Sequence, residues 1–215
     1  MWEPVNQAQG VVKMYPNVED YVSKLSADFD AISEVRKSKL LQVSSYIKNK
    51  LEAGQTAKLT FICTHNSRRS HLAQIWTTVA SHYYEVNNIE AYSGGTEATA
   101  FNPRAVAALE RAGFQIADPG GENPKYEVKF SEDIAPMVCF SKIFDHSINP
   151  VKEFAAIMTC SDADENCPFV PGADVRLSVT YQDPKESDGT TKEAETYDER
   201  CRQIASEMFY LISNI

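Results

Sequence analysis

Leu59-Thr60-Phe61-Ile62-Cys63-Thr64-His65-Asn66-Ser67-Arg68-Arg69-Ser70 decides how the rest of the chain is read. An apolar, strand-like run ends at Cys63, mostly small or polar residues follow, and a helical pattern then begins. Cys63 and Arg69 stand in C-x5-R spacing with Ser70 immediately after. Such a loop suits a tetrahedral oxyanion, because its backbone N–H groups can turn inward at the positive N-terminus of the following helix. Thr64, His65, Asn66, Ser67, Arg68, Arg69 and Ser70 are therefore the candidate oxyanion-binding residues. Arg69 offers a bidentate fork, and the Ser70 hydroxyl is placed to donate to the Cys63 sulfur. The positive field also favours a thiolate, the form in which a cysteine attacks. A lone C-x5-R says little, since buried structural cysteines are common; the strand before and the helix after give this one its functional reading.

Lys58 to Cys63 reads as the first buried strand and Arg69 to Tyr84 as a helix with Leu72, Ile75, Trp76 and Val79 on its apolar face. Ile89 to Tyr92 is a second strand, ending in Ser93-Gly94-Gly95. Asn102-Pro103 opens another helix with a cap and a proline in its first turn, and Gly113 closes it. This β-α-β-α order predicts an α/β fold: a doubly wound, mainly parallel four-stranded sheet with helices on both faces. Ligands of such sheets bind beyond the C-terminal ends of the strands, where Cys63 sits. Phe154 to Thr159 and Asp174 to Val179 supply the remaining two strands, and Tyr197 to Ile212 the closing helix. Residues 119–150 read as an insertion, with Tyr126–Phe130 and Met137–Phe144 forming a β-hairpin. Cys139 in its second run, and Cys201 on a helical face with Tyr197, Ile204, Ala205 and Met208, read as packed structural thiols.

The 215 residues allow one ample domain with an extension. Residues 1–57 are that extension and 58–215 the catalytic-type domain. Residues 1–15 show no regular pattern. From Asn17, a plausible N-cap, Val18, Tyr21, Val22, Leu25, Phe29 and Ile32 follow helical spacing, and Leu40, Val43, Ile47 and Leu51 mark a second helix that stops at Ala53-Gly54. Both are expected to pack on the domain. A net charge of -9 argues against a nucleic-acid binder. Met1-Trp2-Glu3-Pro4 lacks the pattern of a signal peptide, and no apolar stretch reaches the ~20 residues needed to span a bilayer, so no membrane partner is expected. Five scattered cysteines fit a reducing cytoplasm with one or more working thiols.

Cys160-Ser161-Asp162-Ala163-Asp164-Glu165-Asn166-Cys167 is the second constellation. Its C-x6-C spacing is too wide for a zinc knuckle, and its polarity disfavours two merely buried cysteines. Thr159 to Asp164 with Asn166-Cys167-Pro168 closely resembles the redox segment of thioredoxin-coupled arsenate reductases. The Cys63 loop likewise resembles the anion loop shared by these enzymes and the low-molecular-weight tyrosine phosphatases. Asp183-Pro184 falls where both keep their acid, and Gly94 and Asn102-Pro103 also match. The resemblance covers residues 58–118 and 154–214. His65 departs from it where a glycine is usual, and histidine tolerates a left-handed backbone better than most residues. Arg68 departs where a second cysteine is usual. Some reductases of the family hold a potassium ion behind the loop through Asn66-like and acidic ligands, but Gln74 stands here in place of the acid. Asn66 reads instead as a loop brace, and no bound metal or other cofactor is expected.

The resemblance implies that Cys63 attacks the arsenic of arsenate, Asp183 acts as general acid, Cys160 then takes the Cys63 sulfur into a disulfide, and Cys167 carries that disulfide outward to a thioredoxin-type donor. The catalytic set is thus Cys63, Arg69, Asp183, Cys160 and Cys167. A low-molecular-weight phosphatase acting on phosphotyrosine or small phosphomonoesters needs only the loop and Asp183. However, Lys185-Glu186-Ser187 follow Pro184 where such phosphatases usually place aromatic residues. A non-catalytic redox or oxyanion sensor is the third reading. If 160–167 is helical, seven rises of 1.5 Å hold the two Cα atoms roughly 10 Å apart. A disulfide needs about 4.4–6.8 Å, so the segment must unwind and is expected to be mobile.

Overall fold

The computed structural model describes residues 12–167 and 169–215. The readings that involve residues 1–11 and Pro168 lie outside the described residues. Four parallel strands form the main sheet: β1 (Ala57–Cys63), β2 (Ile89–Gly95), β6 (Phe154–Met158) and β7 (Ala173–Ser178), in the order β2-β1-β6-β7. Central β1 is buried at every position but Lys58, as a strand covered on both faces must be. Its side chains divide between two apolar clusters. Leu59 and Phe61 join a large one with α2 (Glu34–Glu52), α3 (Arg69–Tyr83), α4 (Pro103–Arg111) and α6 (Glu193–Ser213). Ile62 and Cys63 join a smaller one on the other side, with Met158, Cys160 and Ala163 of the short α5 (Ser161–Asn166). Trp76 anchors the large cluster, stacked 5.3 Å from Tyr21 and edge-on to Phe114.

The first helical stretch is shorter than its periodicity suggests. α1 spans Pro16–Ser23 with Tyr15, not Asn17, at the N-cap, and residues Leu25–Ala31 form a 3-10 helix. Pro16 holds a helical φ without needing its missing N–H, and it forces Tyr15 into an extended conformation. Within the 3-10 helix, Asp28 accepts from Ser206 Oγ at 2.8 Å and pairs with Arg202 Nε at 2.8 Å. α2 begins where Ser33 caps the Arg36 N–H, and it packs against α6, β1 and β7.

The insertion contains more than a hairpin. β3 (Gln115–Ala117) pairs antiparallel with β4 (Tyr126–Lys129), and β4 with β5 (Met137–Cys139). Three residues of β3 are too few to show an alternating pattern, so sequence alone passes over it. The second hairpin run also ends early, at Cys139 rather than Phe144. Residues 140–144 leave the small sheet and lie along the end of β2, where Gly95 N–H donates to the Lys142 carbonyl and Phe144 N–H to the Gly95 carbonyl. Gly94 permits this approach: a Cβ there would stand 2.3 Å from Phe144 Cα. Met14 and Tyr15 strap the insertion from outside, through a bridge to Ser131 and a 2.8 Å bond from Tyr15 N–H to the Phe130 carbonyl.

Candidate active site

All four parallel strands end at one edge, and the candidate side chains collect there. Cys63 is the last residue of β1, in register with Gly95 of β2. Thr159 continues the β6 ladder by donating from N–H at 2.7 Å and from Oγ1 at 2.9 Å to the Ile62 carbonyl, which sets Cys160 beside Cys63. Val179 and Tyr181 extend the β7 side, donating to the carbonyls of Met158 at 2.9 Å and Thr159 at 3.0 Å, and lead to Asp183.

The 63–69 segment runs straight into α3, whose N-cap Arg68 makes no side-chain cap. The first-turn N–H groups are thus left for an anion. Asn66 takes the left-handed conformation (φ 44°) that the sequence suggested for His65, and asparagine accommodates it because its side chain bonds locally. Its Oδ1 accepts from Lys142 N–H at 3.0 Å and its Nδ2 donates to Ser70 Oγ at 2.9 Å, so it braces the loop as expected. Because Ser70 Oγ accepts from Asn66, its own proton is free for Cys63 Sγ, 3.1 Å away. The His65 carbonyl accepts from Ser141 Oγ at 2.8 Å, and Ser67 Oγ donates to the Ala100 carbonyl at 2.7 Å. Gly95 is required for the loop to close: a Cβ there would lie 2.3 Å from Glu97 O, 2.6 Å from Thr64 O and 2.7 Å from Asn66 N.

Arg69 lies over the loop with its side chain only 11% exposed. Its Nη1 donates to the Tyr181 carbonyl at 2.9 Å and its Nη2 pairs with Asp183 Oδ2, while its buried Nε has no partner among the described residues. Asp183 also caps the 3-10 turn Pro184–Ser187, accepting from Lys185 N–H at 3.1 Å. Arg68, grouped with the oxyanion binders in sequence, is engaged mainly with the rim: its Nε donates to Tyr197 Oη at 2.7 Å and lies 3.9 Å from Asp183 Oδ1, and its Nη2 lies 3.5 Å from Asp188 Oδ2.

Cys63, Cys160 and Cys167 all border the smaller cluster, with Cys63 and Cys160 buried in it and Cys167 half-buried against it. Thr64 joins the two motifs: its Oγ1 donates to Asp162 Oδ2 at 2.7 Å and lies 3.4 Å from Cys160 Sγ. Cys160 is also the N-cap of α5, its sulfur accepting from Ala163 N–H at 3.3 Å. Cys167 is the C-cap residue, so the segment is helical between the two thiols. Arg176 on β7 clasps the end of α5. It donates to the carbonyls of Asp164 and of Cys167, the latter at 2.9 Å, and pairs with the Asp164 carboxylate at 2.7 Å. Ser178 Oγ donates to the same carboxylate at 2.6 Å. Nothing in the sequence pattern marks Arg176 or Tyr181, because their importance comes from strand placement alone. Cys139 and Cys201 lie in the large cluster, and burial pushes both thiols up to about 12.

Lys142 is only 4% exposed, with Nζ 3.5 Å from Ser93 Oγ and 3.4 Å from the Phe140 carbonyl. Burial pushes its ammonium down to about 8, and burial together with that ammonium holds His71 well below the usual imidazole range. The surroundings do not favour a potassium ion: Asn66 Oδ1 is taken by the Lys142 backbone N–H, the Lys142 ammonium lies near Ser93, and residue 74 is a neutral amide. Among the described residues no group of three or more His, Cys, Asp or Glu is placed to hold a metal ion, and no helix is long and apolar enough to cross a membrane.

A strand-end cysteine facing an uncapped helix N-terminus, with an arginine and an aspartate over it, defines a cysteine-based enzyme of oxyanion chemistry. The fold agrees with solved low-molecular-weight phosphotyrosine phosphatases. The one from Vibrio cholerae superposes with a TM-score of 0.51 at 17% identity, over 73% of this chain and 95% of that one. The one from T. tengcongensis gives 0.50 at 16% identity, over 74% and 100%. Among curated sequences, arsenate reductase 2 of Staphylococcus epidermidis is 30% identical over 125 residues, 58% of this chain and 76% of that protein. The arsenate reductase of Bacillus licheniformis is 28% identical over 147 residues, 68% of this chain and 88% of that protein. No family model matches the chain. The chain belongs to the low-molecular-weight protein tyrosine phosphatase superfamily, on the side of its arsenate reductases.

Proposed function

We propose that the protein reduces arsenate to arsenite through a thiol relay served by a thioredoxin-type dithiol. The observation that carries this reading is the placement of Cys63, Cys160 and Cys167 on one small cluster, with Thr64 bridging the anion loop to Cys160. Arsenate seats on the uncapped α3 N-terminus, and Arg69 exchanges Asp183 for the anion. The Cys63 thiolate bonds to arsenic(V) while Asp183 gives its proton to the departing oxygen, which leaves as water. Cys160 then attacks the Cys63 sulfur. The sulfur–arsenic bond breaks, its electron pair stays on arsenic, and arsenite leaves as arsenic(III) behind a Cys63–Cys160 disulfide. Cys167 attacks Cys160, freeing Cys63 as thiolate and forming a Cys160–Cys167 disulfide, which the donor dithiol reduces with two electrons.

The second reading, hydrolysis of phosphomonoesters through a phosphocysteine, draws on the Arg69–Asp183 pair and needs, beside it, the Cys63 loop but neither Cys160 nor Cys167. One experiment separates the two: arsenate turnover by the reduced protein with thioredoxin, thioredoxin reductase and NADPH, beside Cys160→Ser and Cys167→Ser. Loss of turnover in both variants, with aryl phosphate hydrolysis retained, is the expected result. Hydrolysis without any arsenate turnover by the unmodified protein would leave a phosphatase.

A further inference from the structure

Arg36 of the extension before β1 reaches toward the candidate site through Tyr181. Arg36, in the first turn of α2, donates from Nε at 3.0 Å and from Nη2 at 2.7 Å to Glu207 Oε2 of α6. The pair is sheltered, with side chains 16% and 4% exposed. The Arg36 guanidinium also lies 4.5 Å from the ring centroid of Tyr181. Tyr181 is buried, and its hydroxyl faces the same Arg36–Glu207 pair, so the cation over its ring and the charges at its polar end both hold it from α2 and α6. The Tyr181 carbonyl is what receives Arg69 Nη1, two residues before Asp183.

We propose that Arg36, with Glu207, is a positioning residue for the oxyanion site: it fixes Tyr181, and the Tyr181 carbonyl aims the Arg69 guanidinium at the anion loop. The pair acts through another side chain and touches no substrate. A second arginine adds to the need for such aiming. Arg200 is half-buried near Arg69, its guanidinium pulled below the usual range by burial and by Arg69's charge, so the Tyr181 carbonyl is a second fixed acceptor beside Asp183 that keeps Arg69 in place against that repulsion. The extension thereby belongs to the working site, whichever oxyanion is the substrate. The proposal rests on Cys63 and Arg69 forming an oxyanion site.

The test is the dissociation constant of inorganic phosphate by titration calorimetry on the full chain, with kcat and KM for an aryl phosphate and for arsenate. In Arg36→Met, phosphate binding is expected to weaken about tenfold, the scale of a slightly misaimed binding group. Arg36→Lys keeps the charge without the planar fork and is expected to recover part of the loss, to about threefold. Ser44→Ala is the control. Its hydroxyl ties α2 to α6 by donating to the Leu211 carbonyl at 2.6 Å, remote from Tyr181, so it should lower the melting temperature and leave phosphate affinity alone. Unchanged affinity in Arg36→Met, or an equal loss in Ser44→Ala, overturns the proposal. If Arg36→Met does not fold, unchanged affinity in Arg36→Lys overturns it. Unmodified protein that binds phosphate but turns over neither substrate would sink the proposed function and leave this inference standing.

Discussion

Replacing Lys142 with methionine is expected to stabilise the fold at neutral pH, although a charged group and two polar contacts are lost. The ammonium is 4% exposed, and burial brings it from 10.5 down to about 8. Keeping it charged in the folded state at neutral pH therefore costs about 3 kcal/mol at 1.36 kcal/mol per unit. Its contacts, at 3.5 Å to Ser93 and 3.4 Å to the Phe140 carbonyl, are long, and losing them offsets about 1 kcal/mol. Methionine fills the same stem and can rest its sulfur on the Phe140 ring, which the ammonium now overlies at 5.0 Å. The net gain is about 2 kcal/mol. The sign follows from proton counts. Between about pH 8 and 10.5 the unfolded chain holds the Lys142 proton more tightly, so the wild-type protein gains stability as pH rises through that window. The variant lacks this gain, and the difference between the two should vanish near the upper end. Urea unfolding measures it, as a midpoint raised by about 1 M at neutral pH for a slope near 2 kcal/mol/M. A variant less stable than wild type at neutral pH, or a difference independent of pH, would refute the reasoning.

Acid should act through His71, which stays neutral in the fold: stability is expected to fall as pH drops below about 6.5, and to fall less in Lys142→Met, whose lost charge is the second cause of the shift. Urea midpoints across that range check both parts. Asn66→Ala removes the Ser70 and Lys142 bonds together and should cost about tenfold or more in kcat/KM for an aryl phosphate, and Asn66→Asp should be no milder, because a carboxylate accepts the Ser70 proton that Cys63 uses and sets a negative charge in the anion loop. Gly95→Ala drives a Cβ into two backbone atoms of the loop and into the Glu97 carbonyl, so phosphate binding should be lost and stability lowered by about 1–3 kcal/mol, by calorimetry and urea unfolding. Arg176→Leu frees the end of α5. The Cys160–Cys167 disulfide should then form several-fold faster under peroxide, followed by mass spectrometry of trapped thiols, because about 1–3 kcal/mol of clasp no longer opposes unwinding. An unchanged rate would mean that α5 opens without breaking the clasp.

The order of elements was legible because β1 and β6 carry nearly continuous apolar runs and the longer helices a 3.6-residue stripe. β1, α3, α4, β6 and α6 follow from local composition, and Pro103 and Gly113 punctuate as their chemistry demands. The break between α1 and the 3-10 helix did not follow, and the residues after it are tied to partners far along the chain, Asp28 to Ser206, 178 residues away. β3 has no pattern of its own and forms because β4 supplies a partner.

The site divides the same way. Sequence by itself determined its chemistry: a cysteine before a helix N-terminus, an arginine at fixed spacing, a second cysteine pair and an aspartate before a proline. These are local facts about residue type and separation. Tertiary structure decided which neighbours they meet. Arg68 is engaged mainly with Tyr197 and Asp188 at the rim, Asn66 rather than His65 bends left-handed, and Arg176 closes over α5 from another strand. It also brings Arg36 from before the domain to Tyr181 beneath Arg69. Hydrogen-bond reach and charge depend on distance in space, and a chain folded into a parallel sheet places at one edge residues that the sequence keeps more than a hundred positions apart.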